Sequence, residues 1–183
     1  VQAPGFGDAL NYSISAMAPM GEYLYLGTYN PDGCELWRYD GTDFEEYWAL
    51  GPGFGDADNQ MVRCMAVYDD ALYMGTQNPT DGCDVWRWDG IDMTPVVGQD
   101  AAGTFSTGPG FGNAHNVVAA SMAVHRGNLY VGTSNSDGCE VWSYAGVGWA
   151  MVAGPALLAT SAPGFGDAGN TSAESLASYG AFL

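Results

Sequence analysis

Apolar and polar residues alternate in short runs along nearly the whole chain, and clusters of Gly, Asn, Asp and Pro interrupt them. A period of two marks half-buried strands, and no segment carries the wider spacing of an amphipathic helix. First strands are expected at Ile14 to Ala18, Val62 to Val67 and Ala119 to Val124. Second strands follow at Leu24 to Thr28, Leu72 to Thr76 and Leu129 to Thr133. A third strand carries Trp37, Trp86 or Trp142, and a fourth covers Phe44 to Leu50, Met93 to Val97 and Gly148 to Ala153. Turn chemistry separates them, most plainly Arg126-Gly127-Asn128 and the runs from Asn to Asp-Gly, whose residues tolerate positive φ at a hairpin.

The strands recur in register. Pro-Gly-Phe-Gly begins at Pro4, Pro52, Pro109 and Pro163, spaced 48, 57 and 54 residues apart, and an Asn follows each Pro by seven positions. Leu-Tyr-x-Gly-Thr and Asp-Gly-Cys-acid-apolar-Trp come next in the same order, the latter as Asp32 to Trp37, Asp81 to Trp86 and Asp137 to Trp142. The chain therefore reads as one domain over residues 1–183, built from repeats at about 4–51, 52–108, 109–162 and a partial copy at 163–183. Four antiparallel strands per repeat of this length predict an all-β fold of β-propeller blades. Length varies between the fourth strand and the next Pro-Gly-Phe-Gly, where no ladder is interrupted.

These blocks resemble a family of secreted or cell-surface bacterial and archaeal propellers with GFGD…N…MAV…LYVGT…DGCEVWR repeats, over essentially all of the chain. The resemblance implies a propeller fold and an extracellular or cell-surface location, and no particular activity. The Asp-to-Trp blocks also resemble the Asp-box of sialidase-type propellers in spacing, although Gly follows the Asp directly. In those families the box stabilises a turn, so Asp32, Trp37, Asp81, Trp86, Asp137 and Trp142 are expected to be structural. A sialidase would show an arginine cluster, and Arg38, Arg63, Arg87 and Arg126 are bound into the repeats.

Three full copies do not make a ring of four to eight blades. The expectation is a longer chain or completion between chains, giving a homo-oligomer or filament. The spare first strand, Ala173 to Ser178 with Leu176 at the repeated apolar position, is the expected assembly edge.

Charge narrows the partners. The sequence has 21 acidic residues against four Arg and no Lys, a net charge of −17. Such a field repels nucleic acid and anionic lipid, and no apolar run is long enough for membrane insertion. The amino end lacks the regions of a signal peptide. Calcium or a basic partner suits it better. Cys34, Cys83 and Cys139 hold one repeat position and Cys64 another, too far apart across blades for disulfides, so free half-buried thiols are expected.

Asp8, Asn11, Asp56, Asn59, Asn113, Asn116, Asp167 and Asn170 fall on one edge of successive blades. Their oxygens could hold calcium or glycan hydroxyls, or each Asn could cap its own loop. Trp37, Trp86 and Trp142 read as blade packing, with sugar stacking the alternative. Glu35, Asp84 and Glu140 are expected to pair with Arg38 or Arg87. His115 and His125 stand outside any metal-ligand or nucleophile spacing, and no catalytic motif is present. Asn11 and Asn170 begin formal glycosylation sequons, but their repeat positions make them poor acceptors. The expected function is a non-catalytic extracellular module for structural assembly. The alternatives are a multivalent lectin with one weak site per blade and, last, a glycan-active enzyme.

Overall fold

Alternation of buried and exposed side chains builds three four-stranded meanders, seen in a computed structural model that describes residues 3–46, 50–99, 107–154 and 162–183. The first unit contains β1 (Ser13–Met20), β2 (Tyr23–Tyr29), β3 (Leu36–Tyr39) and β4 (Phe44–Glu46). The second contains β5 (Met61–Tyr68), β6 (Ala71–Gln77), β7 (Val85–Trp88) and β8 (Met93–Val97), and the third β9 (Asn116–His125), β10 (Asn128–Asn135), β11 (Val141–Tyr144) and β12 (Trp149–Ala153). Among the described residues the fold is all-β, with twelve strands paired antiparallel and no α-helix. The tail of the expected fourth strand in the first unit, and most of the two variable loops, lie outside the described residues.

Each first strand bulges at the same place, where Ile14, Val62 and Ala119 face the Thr of Leu-Tyr-x-Gly-Thr and Ala16, Cys64 and Ser121 face its Gly. Tight turns with positive φ at Asp69 and Asp70, and at Arg126 and Gly127, close the first hairpins of the second and third units.

The core lies between units rather than within them. One cluster joins Tyr25, Cys34 and Leu36 of the first unit to Val62, Leu72, Met74 and Trp88 of the second. The next joins Tyr73, Cys83, Val85 and Val97 of the second to Phe111, Ala119, Leu129 and Val131 of the third. Successive residues of β6 thus serve opposite seams, as period two requires. First strands β1, β5 and β9 lie side by side, while hydrogen-bonded pairing between units is confined to Tyr29↔Met61 and Gln77↔Val118. Close approach at the seam explains the repeated glycine: a Cβ on Gly75 would sit 2.6 Å from that of Ala119.

The spare strand is a correction. Ala173 to Ser178 forms no strand, because no hairpin partner runs beside it among the described residues; one bridge, Ser134↔Ser172, replaces the ladder. The segment nevertheless docks as the other first strands do. Ala173 packs on Gly132 as Ala119 does on Gly75, and its carbonyl accepts from Ser121 Oγ. Ser178 Oγ is 2.8 Å from His125 Nδ1, Leu176 is half-buried, and Arg63 pairs with Glu174 at 2.6 Å.

Candidate ligand-binding cleft

The Pro-Gly-Phe-Gly turns are left-handed. Gly53 and Phe54 have φ/ψ of 62/18 and 61/33, and the other three copies match. A non-glycine residue here costs roughly 1–2 kcal/mol, and the Asn seven positions after the Pro secures it. Asn116 Nδ2 donates to Gly110 O at 2.9 Å and Glu140 Oε2 at 2.7 Å, while its Oδ1 accepts from Thr133 Oγ1 at 3.0 Å and Asn135 Nδ2 at 2.9 Å. All four capacities of a buried amide are filled. Asn59 repeats the arrangement with Gly53, Asp84, Thr76 and Asn78. Asn11 keeps the bonds to Gly5, Glu35 and Asn30. Asn170 holds only Gly164 and is exposed.

Three of the four turns are also bolted to the preceding unit. Gly53 N donates to Cys34 O and Cys34 N to Asn59 O, both at 2.8 Å, with the same pair at Gly110/Cys83/Asn116 and Gly164/Cys139/Asn170. The remaining loop acids are Asx-turn residues: Asp8, Asp56, Asn113 and Asp167 each accept through Oδ1 from a backbone N–H two positions on. Thus the eight predicted edge residues fall as four pairs in four separate turns, and each is engaged in its own turn. Among the described residues no group of three or more His, Cys, Asp or Glu converges to hold a metal.

Asp32, Asp81 and Asp137 are exposed, and the side chains that organise their turns are Asn30, Asn78 and Asn135, whose Oδ1 accepts from Asp32 N, Asp81 N and Asp137 N. The acid row is a further correction. Arg38 pairs with Glu45 at 2.6 Å and Arg87 with Asp89 at 2.9 Å. Residues 35 and 38 are an odd number of positions apart and face opposite sides of the sheet. Glu35 and Glu140 instead accept the indole Nε1 of Trp37 and Trp142, two residues on, at 2.8 and 2.9 Å. The four thiols are free and buried, and burial raises every one above its ordinary range, Cys64 to about 12. They are not poised as nucleophiles.

In the second unit the same elements leave a cleft of about 490 Å³, lined among others by Phe54, Asp56, Asp81, Asp84, Trp86 and Met93. Trp86 is 6% exposed and Asp84 5%. Trp86 Nε1 is buried and finds no acceptor in hydrogen-bonding geometry, although it stands near enough to Asp84 to favour the carboxylate. Burial nonetheless lifts the Asp84 carboxyl to about 6, with the Asn59 bond opposing it. Trp149 Nε1 and Thr107 Oγ1 are the other unsatisfied buried side-chain atoms among the described residues. The sequence does carry a signal for this cleft, Asp at 84 where the sister copies have Glu, but a one-methylene change reads as conservative until the indole is placed beside it.

No protein-family model matches the chain, and no curated protein matches it. Among solved structures it is similar to a triple arginine-to-alanine mutant of AofleA from Arthrobotrys oligospora, with 17% identity and a TM-score of 0.49 over 84% of this chain and 46% of that one. It is also similar to a europium-containing methanol dehydrogenase, with 15% identity and a TM-score of 0.46 over 79% of this chain and 26% of that one. The chain spans less than half the length of either, and likenesses this distant carry no argument about function.

Proposed function

We propose that the protein is a non-catalytic, propeller-type binding module of the cell exterior whose ligand is carbohydrate. Three features support the propeller reading: meanders of four strands, cores placed at the seams, and first strands lying side by side. The observation that carries the carbohydrate reading is the second-unit cleft, where aromatic side chains lie beside carboxylates able to accept from hydroxyls. Cysteine-based catalysis has less support, since burial raises the Cys34, Cys64 and Cys83 thiols above their ordinary range. A glycan array read with and without calcium tests the reading: saturable binding of neutral glycans is expected, and binding of none overturns it.

A second reading, self-assembly, rests on the outward face of β1. Tyr12, Ile14 and Met17 are 62%, 44% and 60% exposed, whereas Val62 and Ala119, the counterparts of Ile14 in the next units, are fully buried against a preceding unit. Another unit of this repeat would cover that face. Mass photometry is expected to find oligomers that Ile14→Lys disperses; a monomer at all concentrations sinks the idea.

A further inference from the structure

The acid and indole beneath the three Pro-Gly-Phe-Gly turns at Pro4, Pro52 and Pro109 meet differently in one decisive respect. In the first and third units a Glu reaches the neighbouring indole N–H and accepts from it. The second unit has Asp84 there, one methylene shorter, and the Trp86 N–H is left without an acceptor. Ring packing follows suit. Phe6 stacks on Trp37 at 4.6 Å and 20°, and Phe111 on Trp142 at 4.9 Å and 11°, but Phe54 is tilted 57° to Trp86 at 5.6 Å. In the third unit Trp149 also covers Phe111 from 5.1 Å, where the second unit has Met93 on the cleft wall.

We infer that the second unit alone carries the saccharide site, because its shortened acid leaves the Trp86 indole N–H to be completed by an oxygen of a neutral sugar. This inference rests on the carbohydrate reading above and narrows it to one site per chain. The chemistry of the cleft defines the ligand. Asp56, Asp81 and Asp84 accept hydroxyl protons and repel uronic, sialic or phosphorylated sugars. Leu50, Met93 and Pro95 offer an apolar wall to the C–H face of a pyranose. Trp86 supplies the one indole donor, and Phe54, already unstacked, turns to admit the ligand oxygen. An unsatisfied buried donor gains most from a partner.

The test uses the full chain with 15N-labelled indoles, titrated with methyl glycosides of neutral hexoses and with the corresponding uronic acids. Only the neutral sugars are expected to bind, at one per chain, and the Trp86 N–H resonance is expected to move. Trp86→Phe should weaken binding about tenfold and, because only ring volume and no hydrogen bond is lost, lower the melting temperature less than Trp142→Phe does. Asp84→Glu should abolish binding and shift the unliganded Trp86 N–H towards the positions of Trp37 and Trp142. Sugar bound at more than one equivalent, with Trp86 unmoved, or as tightly by Trp86→Phe as by the wild type overturns the inference and leaves the carbohydrate reading standing. Failure of every saccharide overturns both. Trp86→Phe decides the matter alone if Asp84→Glu does not fold.

Discussion

The second and third units share a backbone, a left-handed turn and a four-bonded asparagine, yet only the third gives the indole at the repeat position an acceptor. Glu140 takes both Asn116 Nδ2 and Trp142 Nε1 on one oxygen; Asp84 takes Asn59 and leaves Trp86. In a repeat fold the scaffold is fixed by bonds every copy makes, and individuality enters through one side chain's reach. Side chains that seem interchangeable by charge differ in whether a buried donor is satisfied.

The largest expected effect compares a complete hub with an incomplete one. Asn116→Ala removes four buried hydrogen bonds and takes the acceptor from the buried Asn135 amide, and should cost about 4 kcal/mol in denaturant unfolding. Asn170→Ala, exposed and holding one bond, should cost under about 1 kcal/mol. Equal losses would mean that burial of the hub is irrelevant.

Next comes pH. Burial raises the Asp84 carboxyl from 3.8 to about 6, so the folded chain binds that proton more tightly than the unfolded one. The resulting stability is full below about pH 4 and lost as pH rises through about 6, a difference on the order of 2–3 kcal/mol. Glu46 in the first unit, raised to about 7 by burial and then by Glu35 and Asp8, acts in the same direction. The melting temperature should therefore fall between pH 5 and pH 7.5, as thermal melts at fixed ionic strength would record. Asp84→Asn should flatten that slope, and an unchanged slope would exclude Asp84 as its source.

Removing the indole donors sharpens the comparison further. Trp142→Phe takes a charge-assisted bond from a buried carboxylate and should cost about 2 kcal/mol. The same change at Trp86 breaks no such bond and should cost less than at Trp142, the remaining loss being that of packed ring volume.

Strand order, hairpin turns and the repeat were legible because period two and turn residues are local properties. The asparagine positions were legible too, but the choice between ligand and loop cap lies in the fold, which brings the distant Glu140 and Thr133 around Asn116. Pairing of Glu35 with Arg38 was expected from charge alone, and the parity of their spacing already argued against it. Ala173 to Ser178 copies a first strand in sequence, yet strand identity depends on a hairpin partner that local pattern cannot supply. The Trp86 vacancy depended on a distance of one methylene, below what residue type conveys.

The smallest effect concerns the turn itself. Phe6, Phe54, Phe111 and Phe165 all sit at positive φ near 60°, which a ring-bearing residue tolerates only with compensation. Phe111 has it, being 5% exposed and packed on Trp142 and Trp149; Phe165 is 59% exposed. Asn enters the left-handed region more readily than Phe. Phe165→Asn should therefore stabilise by about 0.5–1 kcal/mol, relieving strain while giving up little burial. Phe111→Asn should destabilise by about 3 kcal/mol or more, because lost packing outweighs the same relief. Chemical denaturation of the two variants reads the difference directly. If both destabilise alike, the exposed ring of Phe165 contributes something that strain and burial do not explain.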